Sequence, residues 1–176
     1  MEAPLRETKF GLVADVDGWF VLNAHDSRWR DYAPLEAACD FEGKRPFRQL
    51  GFNISVLEPG HSLGLYHRER HQEAFLVLSG ECVLVVEGET RTLREWDFFH
   101  CPAGTAHVLV GAGEEPAVVV AVGARGGRKG VVHEVDPAAL AVGAGVERET
   151  TKSAEAYARF PRPVRVRYRD GWLPDL

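Results

Sequence analysis

The chain has 176 residues, the length of one domain (about 100–200 residues) with room for an added arm. Hydrophobic residues make up 45% and charged residues 27%, a balance that can bury a core and excludes a disordered chain. The net charge of −5 is unevenly spread: residues 1–124 carry 11 basic and 19 acidic side chains, and residues 125–176 carry 10 and 7.

An acidic body argues against a nucleic-acid partner, because such domains are basic overall with a clustered patch. The basic tail suits pairing with an acidic surface, its own or a twin subunit's. The longest uncharged apolar runs, such as Ala117–Ala124, are far too short to cross a bilayer, so no membrane partner is expected. The opening MEAPLRETKF has charges of both signs and no apolar stretch of the secretory kind. Three cysteines (Cys39, Cys82 and Cys101) without CxxC spacing fit reduced thiols rather than a disulfide framework. A cytoplasmic protein is the expectation.

In chain order, residues 1–48 read as an N-terminal arm. Gly18–Asn23 suggests a short strand, and Pro34–Ala38 a single helical turn with proline at its start. The aromatic residues Phe10, Trp19, Phe20, Trp29 and Tyr32 suit packing onto a main body. Residues 49–124 are a run of short strands. Phe52–Val56 alternates apolar and polar, and Pro59-Gly60 ends it. Ala74–Leu78 is closed by Ser79-Gly80, and Cys82–Val86 by Glu87-Gly88. Further strands are expected at Asp97–Cys101, Ala106–Val110 and Ala117–Val122. Strands at roughly ten-residue spacing, separated by turn signals, predict a sandwich or barrel. Several are apolar on both faces, so something must cover the outer one. The 18 glycines and 10 prolines of the chain exclude a helical bundle in favour of such a fold. Residues 125–176 form a C-terminal extension of the same domain. It has a loop at Gly126–Gly130, capped short helices at Asp136–Leu140 and Ser153–Ala158, and an alternating edge strand at Val164–Arg169 with a cationic face.

The chemistry concentrates in one stretch, Gly60-His61-Ser62-Leu63-Gly64-Leu65-Tyr66-His67-Arg68-Glu69-Arg70-His71-Gln72-Glu73. Positions 67, 69, 71 and 73 share parity. On one straight strand, at ~3.3 Å per residue, positions 67 and 73 would lie ~20 Å apart, too far for one ion that binds N and O ligands at ~2 Å. The chain must therefore reverse between Glu69 and Glu73 if the stretch is a metal site. The polar tip Arg70-His71-Gln72 suits such a reversal. A fourth donor, His107, follows the turn Pro102-Ala103-Gly104-Thr105 and is expected to point inward beside Phe99 or Cys101. His61 reads as a loop histidine; His25, His100 and His133 read as structural.

These residues resemble two signatures of the cupin superfamily. Gly60-x6-His67-x-Glu69-x3-Glu73-x6-Gly80 resembles the first, which runs glycine, His-x-His, glutamate and glycine. Trp96-Asp97-x4-Pro102-x4-His107 resembles the second, which ordinarily opens with Gly-Asp. The resemblance covers residues 50–124. There are departures: Glu69 stands at the second histidine of His-x-His, Trp96 replaces a glycine, and Val108 follows His107 where asparagine is common.

The resemblance implies an all-β double-stranded β-helix, the cupin jelly-roll barrel, with extensions at both ends. It implies a homodimer, formed by N-terminal strands exchanged between subunits, so the arm of residues 1–48 either packs on its own barrel or swaps. It implies a divalent metal held by His67, Glu69, Glu73 and His107, with His71 as the alternative source of the missing nitrogen. Oxygen-rich ligation favours Fe or Mn, with Zn or Ni also compatible. Asn53, Phe75, Val77 and Phe99 are expected to line the pocket. The expected function is a metal-dependent enzyme for a small organic metabolite, of dioxygenase-like or isomerase/lyase type. A non-catalytic small-molecule-binding or sensor module is the alternative.

Overall fold

The computed structural model describes residues 1–127 and 130–174. The described strands are β1 (Leu5–Thr8), β2 (Gly11–Ala14), β3 (Trp29–Asp31), β4 (Ala37–Cys39), β5 (Leu50–Leu57), β6 (Arg68–Glu69), β7 (Glu73–Ser79), β8 (Glu81–Val86), β9 (Glu89–Leu93), β10 (Phe98–Cys101), β11 (His107–Ala112), β12 (Ala117–Ala124), β13 (Val131–Val132) and β14 (Val164–Val166). Two short helices, α1 (Pro137–Ala141) and α2 (Ser153–Ala156), lie in the C-terminal extension.

Two sheets build an all-β jelly-roll barrel. The larger has the order β10-β7-β12-β5-β4-β3-β14 and the smaller β11-β8-β9. Consecutive strands often lie in different sheets, because the chain crosses between them at corners. Glu87 (φ 47°) and Gly88 (φ 80°) make the tight turn of the β8–β9 hairpin, where both central residues need positive φ. The inward side chains of both sheets share one apolar core of Leu57, Phe75, Val77, Cys82, Leu84, Cys101, Leu109, Ala117, Val119 and Ala121.

The apolar outer faces are covered in part by the extensions. Asp136 caps α1 by accepting from the Ala139 amide, as its place before proline predicts. Ala139 and Ala144 then pack with Val85, Val108 and Val110 behind the smaller sheet. Trp172 packs with Trp29, Ala37, Cys39 and Val56 behind the arm end of the larger sheet. The basic tail finds acidic partners in its own chain, Arg169 with Asp31 at 2.9 Å and Arg167 with Glu7 at 3.7 Å.

Several expectations change in the arms. Gly18–Asn23 is not a strand; Trp19 makes only an isolated bridge to Glu2. Pro34–Ala38 forms no helical turn. Ala37 and Cys39 alternate into the core as part of β4, paired with β5, so tertiary burial overrides the helix-forming composition. The second helix ends at Ala156 and has no side-chain cap. The C-terminal strand is shorter than its alternation suggests and closes the β3 edge. Of the Gly126–Gly130 loop, Arg128 and Lys129 lie outside the described residues.

Candidate metal centre

The site is built where three backbone segments meet at one end of the barrel. His67 and His107 sit opposite each other and exchange both backbone hydrogen bonds, at 3.2 and 2.9 Å. Their rings therefore lie side by side, with centroids 5.1 Å apart. Glu73 opens β7 on its inner face, opposite Cys101 and Gly123. The stretch from Glu69 to Glu73 does not form the hairpin that a simple reversal implies. β6 pairs with β13, while β7 pairs with β10 and β12, so the chain turns a corner from one sheet into another. The result is the required convergence: donor atoms of His67, Glu73 and His107 all lie within 4.8 Å of one another.

Each imidazole is held by one nitrogen, which frees the other. His67 Nδ1 donates to the Leu65 carbonyl at 2.7 Å. His107 Nδ1 faces the Thr105 carbonyl at 3.1 Å and Cys101 Sγ at 3.3 Å. Outer hydrogen bonds of this kind fix the tautomer and aim the remaining lone pair. Glu73 Oε2 lies 3.4 Å from His107 Nε2, yet it is buried without a hydrogen-bond partner among the described residues. Burial, and then the neighbouring Glu69, push the Glu73 carboxyl up to about 7. Burial, and then His67, push His107 down to about 4. An orphaned carboxylate oxygen beside two imidazoles, each with one nitrogen held and the other free, fits a divalent cation, which would satisfy all three. Burial also pushes the Cys101 thiol up to about 12, so at neutral pH it is a neutral neighbour of His107.

The other candidate residues fall in distinct places. Glu69 Oε1 lies 3.8 Å from His67 Nε2, beside the group of three. His71 and Glu69 both line an open cavity of about 590 Å³, together with Glu42, Phe47, Arg125 and Val131. Phe75 and Phe99 stack on each other at 5.7 Å, and both rings meet His107, at 5.2 and 5.8 Å. Val77 is fully buried one inward position further along β7. Asn53 pairs with Ala121 in β12 and is half-buried. Of the histidines read as structural, His25 stacks on Tyr168 at 4.4 Å, and His100 is exposed. His133 departs from that reading. It is buried against the centre, its ring 5.6 Å from His67. No local signal marks it, because it follows a strand of only two residues and comes to the site from the C-terminal extension.

Residues 53–123 match the family model described as "Cupin domain". They are a cupin domain. A sugar phosphate isomerase of the cupin superfamily from Silicibacter pomeroyi is similar in structure, with 24% identity over 74% of this chain and 80% of that one and a TM-score of 0.51. A protein of Acidithiobacillus ferrooxidans provisionally named a sugar phosphate isomerase has 30% identity over 48% of this chain, with a TM-score of 0.46; the match spans only 55% of that protein. An RmlC-like cupin from Shewanella frigidimarina has 19% identity over 56% of this chain and 83% of that one, with a TM-score of 0.48. No protein of curated function matches the chain. Two departures from the cupin signatures take physical form here. Trp96, at the usual glycine position, adopts φ 69°, a left-handed conformation that costs a bulky residue energy. Glu69 keeps its place next to His67 while the three-donor group forms without it.

Proposed function

We propose that this cupin is a metal-dependent enzyme acting on a small organic molecule, with dioxygenase-like oxidoreductase chemistry as the best-supported class. The observation that carries the reading is the His67–Glu73–His107 group, with its buried, unpartnered Glu73 oxygen. Two imidazoles and one carboxylate match the ligand type of non-haem Fe(II) oxygenases, and Mn(II) is the next best fit. When bound, such an ion supplies Lewis acidity and open positions for substrate oxygens or O₂.

The chain's own residues do the rest. Leu65 and Thr105 carbonyls hold the two rings in one tautomer. Phe75 and Phe99 form a stacked apolar floor against His107, which keeps water from that side. Glu69, next to His67 and at the wall of the 590 Å³ cavity, is placed to hold or move a proton at its carboxylate. That placement also suits isomerase or lyase chemistry on the same molecule.

The reading extends to the whole chain. Three buried free thiols, Cys39, Cys82 and Cys101, suit a reducing compartment, and we place the protein in the cytoplasm. Among the described residues the larger sheet keeps an uncovered apolar outer face over β10, β7 and β12, and a second copy of the chain is its proposed cover.

Metal analysis of protein purified without chelator tests the reading first. About one equivalent of Fe or Mn is expected, and His67→Ala should weaken binding at least ~10-fold, judged by the effect of losing even outer groups. Less than about a tenth of an equivalent after reconstitution overturns it. O₂ uptake by the iron-loaded protein on a metabolite panel, compared with Glu73→Ala, then tests the class. Melting shifts with ligands but no turnover point instead to a binding module.

A further inference from the structure

His133 is fully enclosed, 2% exposed, and among the described residues neither ring nitrogen has a hydrogen-bond partner. Burial, and then His67, lower its pKa from the ordinary imidazole value, and the nearby Tyr66 backbone, which opposes them, makes no hydrogen bond of normal geometry to it. Buried polar groups in folded proteins nearly always have partners. An imidazole kept dry and unpaired therefore marks a place where another group belongs.

Its position says which group. The ring lies 5.6 Å from His67 on one side and meets the edge of Tyr157 at 5.5 Å on another. The backbone that carries it is anchored on both flanks. Val131 and Val132 pair with Glu69 and Arg68. His133 and Thr150 exchange two backbone hydrogen bonds, at 2.9 and 3.0 Å. Glu134 takes the Arg68 guanidinium on both oxygens, at 2.5 and 2.7 Å. The C-terminal extension thus holds one imidazole against the rim of the centre. His133 does not belong to the group of three mutually close donors, so it stands one row further out.

We propose that His133 is a positioning residue of the metal centre. One of its ring nitrogens hydrogen-bonds an oxygen of the small molecule seated on the ion that His67, Glu73 and His107 hold. The ligand class is a small oxygen donor: a carboxylate, a hydroxamate or a hydroxy acid. This inference rests on the metal-dependent function proposed above, and it gives the C-terminal extension a part in binding as well as in covering the barrel.

The test uses the full chain loaded with Co(II), whose visible spectrum reports the ligand field, and acetohydroxamate as the oxygen-donor probe. The wild-type protein should take up one equivalent of cobalt and shift its spectrum on titration with acetohydroxamate. His133→Ala should keep its cobalt affinity within about threefold while its acetohydroxamate affinity falls at least ~10-fold, the scale of outer-group losses. His133→Gln, which retains hydrogen-bonding capacity, should recover part of the loss and serves also if the alanine variant does not fold. Unchanged acetohydroxamate affinity in both variants overturns the inference and leaves the metal reading intact. Loss of cobalt itself from a folded His133→Ala makes His133 a ligand and likewise overturns it. Failure of the wild-type protein to bind cobalt sinks the metal reading, and this inference with it.

Discussion

Glu73 and His107 pull the stability of the metal-free protein in opposite directions. The Glu73 carboxyl, ordinarily near 4.5, is held up to about 7 by burial and by Glu69. Between those values the folded chain keeps a proton that the unfolded chain has released, so Glu73 removes stability as pH rises through this window. His107, ordinarily near 6.5, is pushed down to about 4 by burial and by His67. There the unfolded chain takes the proton first, so stability is lost as pH falls from about 6.5 to 4. Above pH 7 only the Glu73 cost remains. At about 1.4 kcal/mol per pH unit, the rise from 4.5 to about 7 is on the order of 3 kcal/mol. Glu73→Gln removes the charge and keeps the shape. In urea denaturation with chelator present, this variant should be more stable than wild type by about 3 kcal/mol at pH 8, and the gain should shrink toward pH 5. The same variant should lose metal binding. A gain independent of pH would show that Glu73 is not the strained ion described here.

The barrel strands were legible because burial writes itself into their pattern. β5, β7, β8, β10, β11 and β12 each carry apolar residues at inward positions, and the turns between them carry glycine or proline. β9 was not legible. Its sequence, Glu89-Thr-Arg-Thr-Leu, is almost wholly exposed, and it is a strand only because the β8 hairpin folds it back. The candidate donors His67, Glu73 and His107 stand out by spacing and turn chemistry, whereas the corner that brings them together depends on which sheet each strand joins. His133 left no trace, since its place depends on tertiary events, the pairing of Val131 and Val132 with β6 and its own bridge to Thr150. The glycines of the signature are where sequence and backbone agree most closely. Gly80 has φ 74°, and a Cβ there would lie 2.7 Å from the Pro116 carbonyl oxygen and 2.8 Å from Ala117 Cα. Both the left-handed conformation and the backbone contact exclude a side chain at this corner. Gly80→Ala should therefore cost about 1–3 kcal/mol in chemical denaturation. A loss within error of zero would mean that the corner relaxes freely.

On the scale of the molecule, the extensions cover the barrel unequally. α1 shields the smaller sheet, and Trp172 shields the arm end of the larger one. The outer face over β10, β7 and β12 has no such cover among the described residues, whereas on β5 Ile54 packs against the Trp29 cluster and Phe52 meets the Phe41 ring at 6.0 Å. Register places Phe98, Leu76 and Val120 in one row across it, with His100, Ala74 and Val122 in the next. Phe98 is 63% exposed and Leu50, further along β5, is 54% exposed, so the patch is open to solvent. Apart from His100, no titratable side chain interrupts those rows. A face without charges has little to match against a partner of different chemistry, but it is complementary to itself. Two copies related by a two-fold axis would bury each patch against the other. Light scattering coupled to size exclusion should therefore find a dimer of about twice 19.5 kDa. Phe98→Glu places a charge on each side of the contact, where like charges face each other across the axis. It should give a monomer with a melting temperature close to that of a dissociated wild-type chain, since Phe98 is largely outside the barrel core. A wild-type monomer, or a Phe98→Glu dimer, would assign the apolar face to some other purpose than self-association.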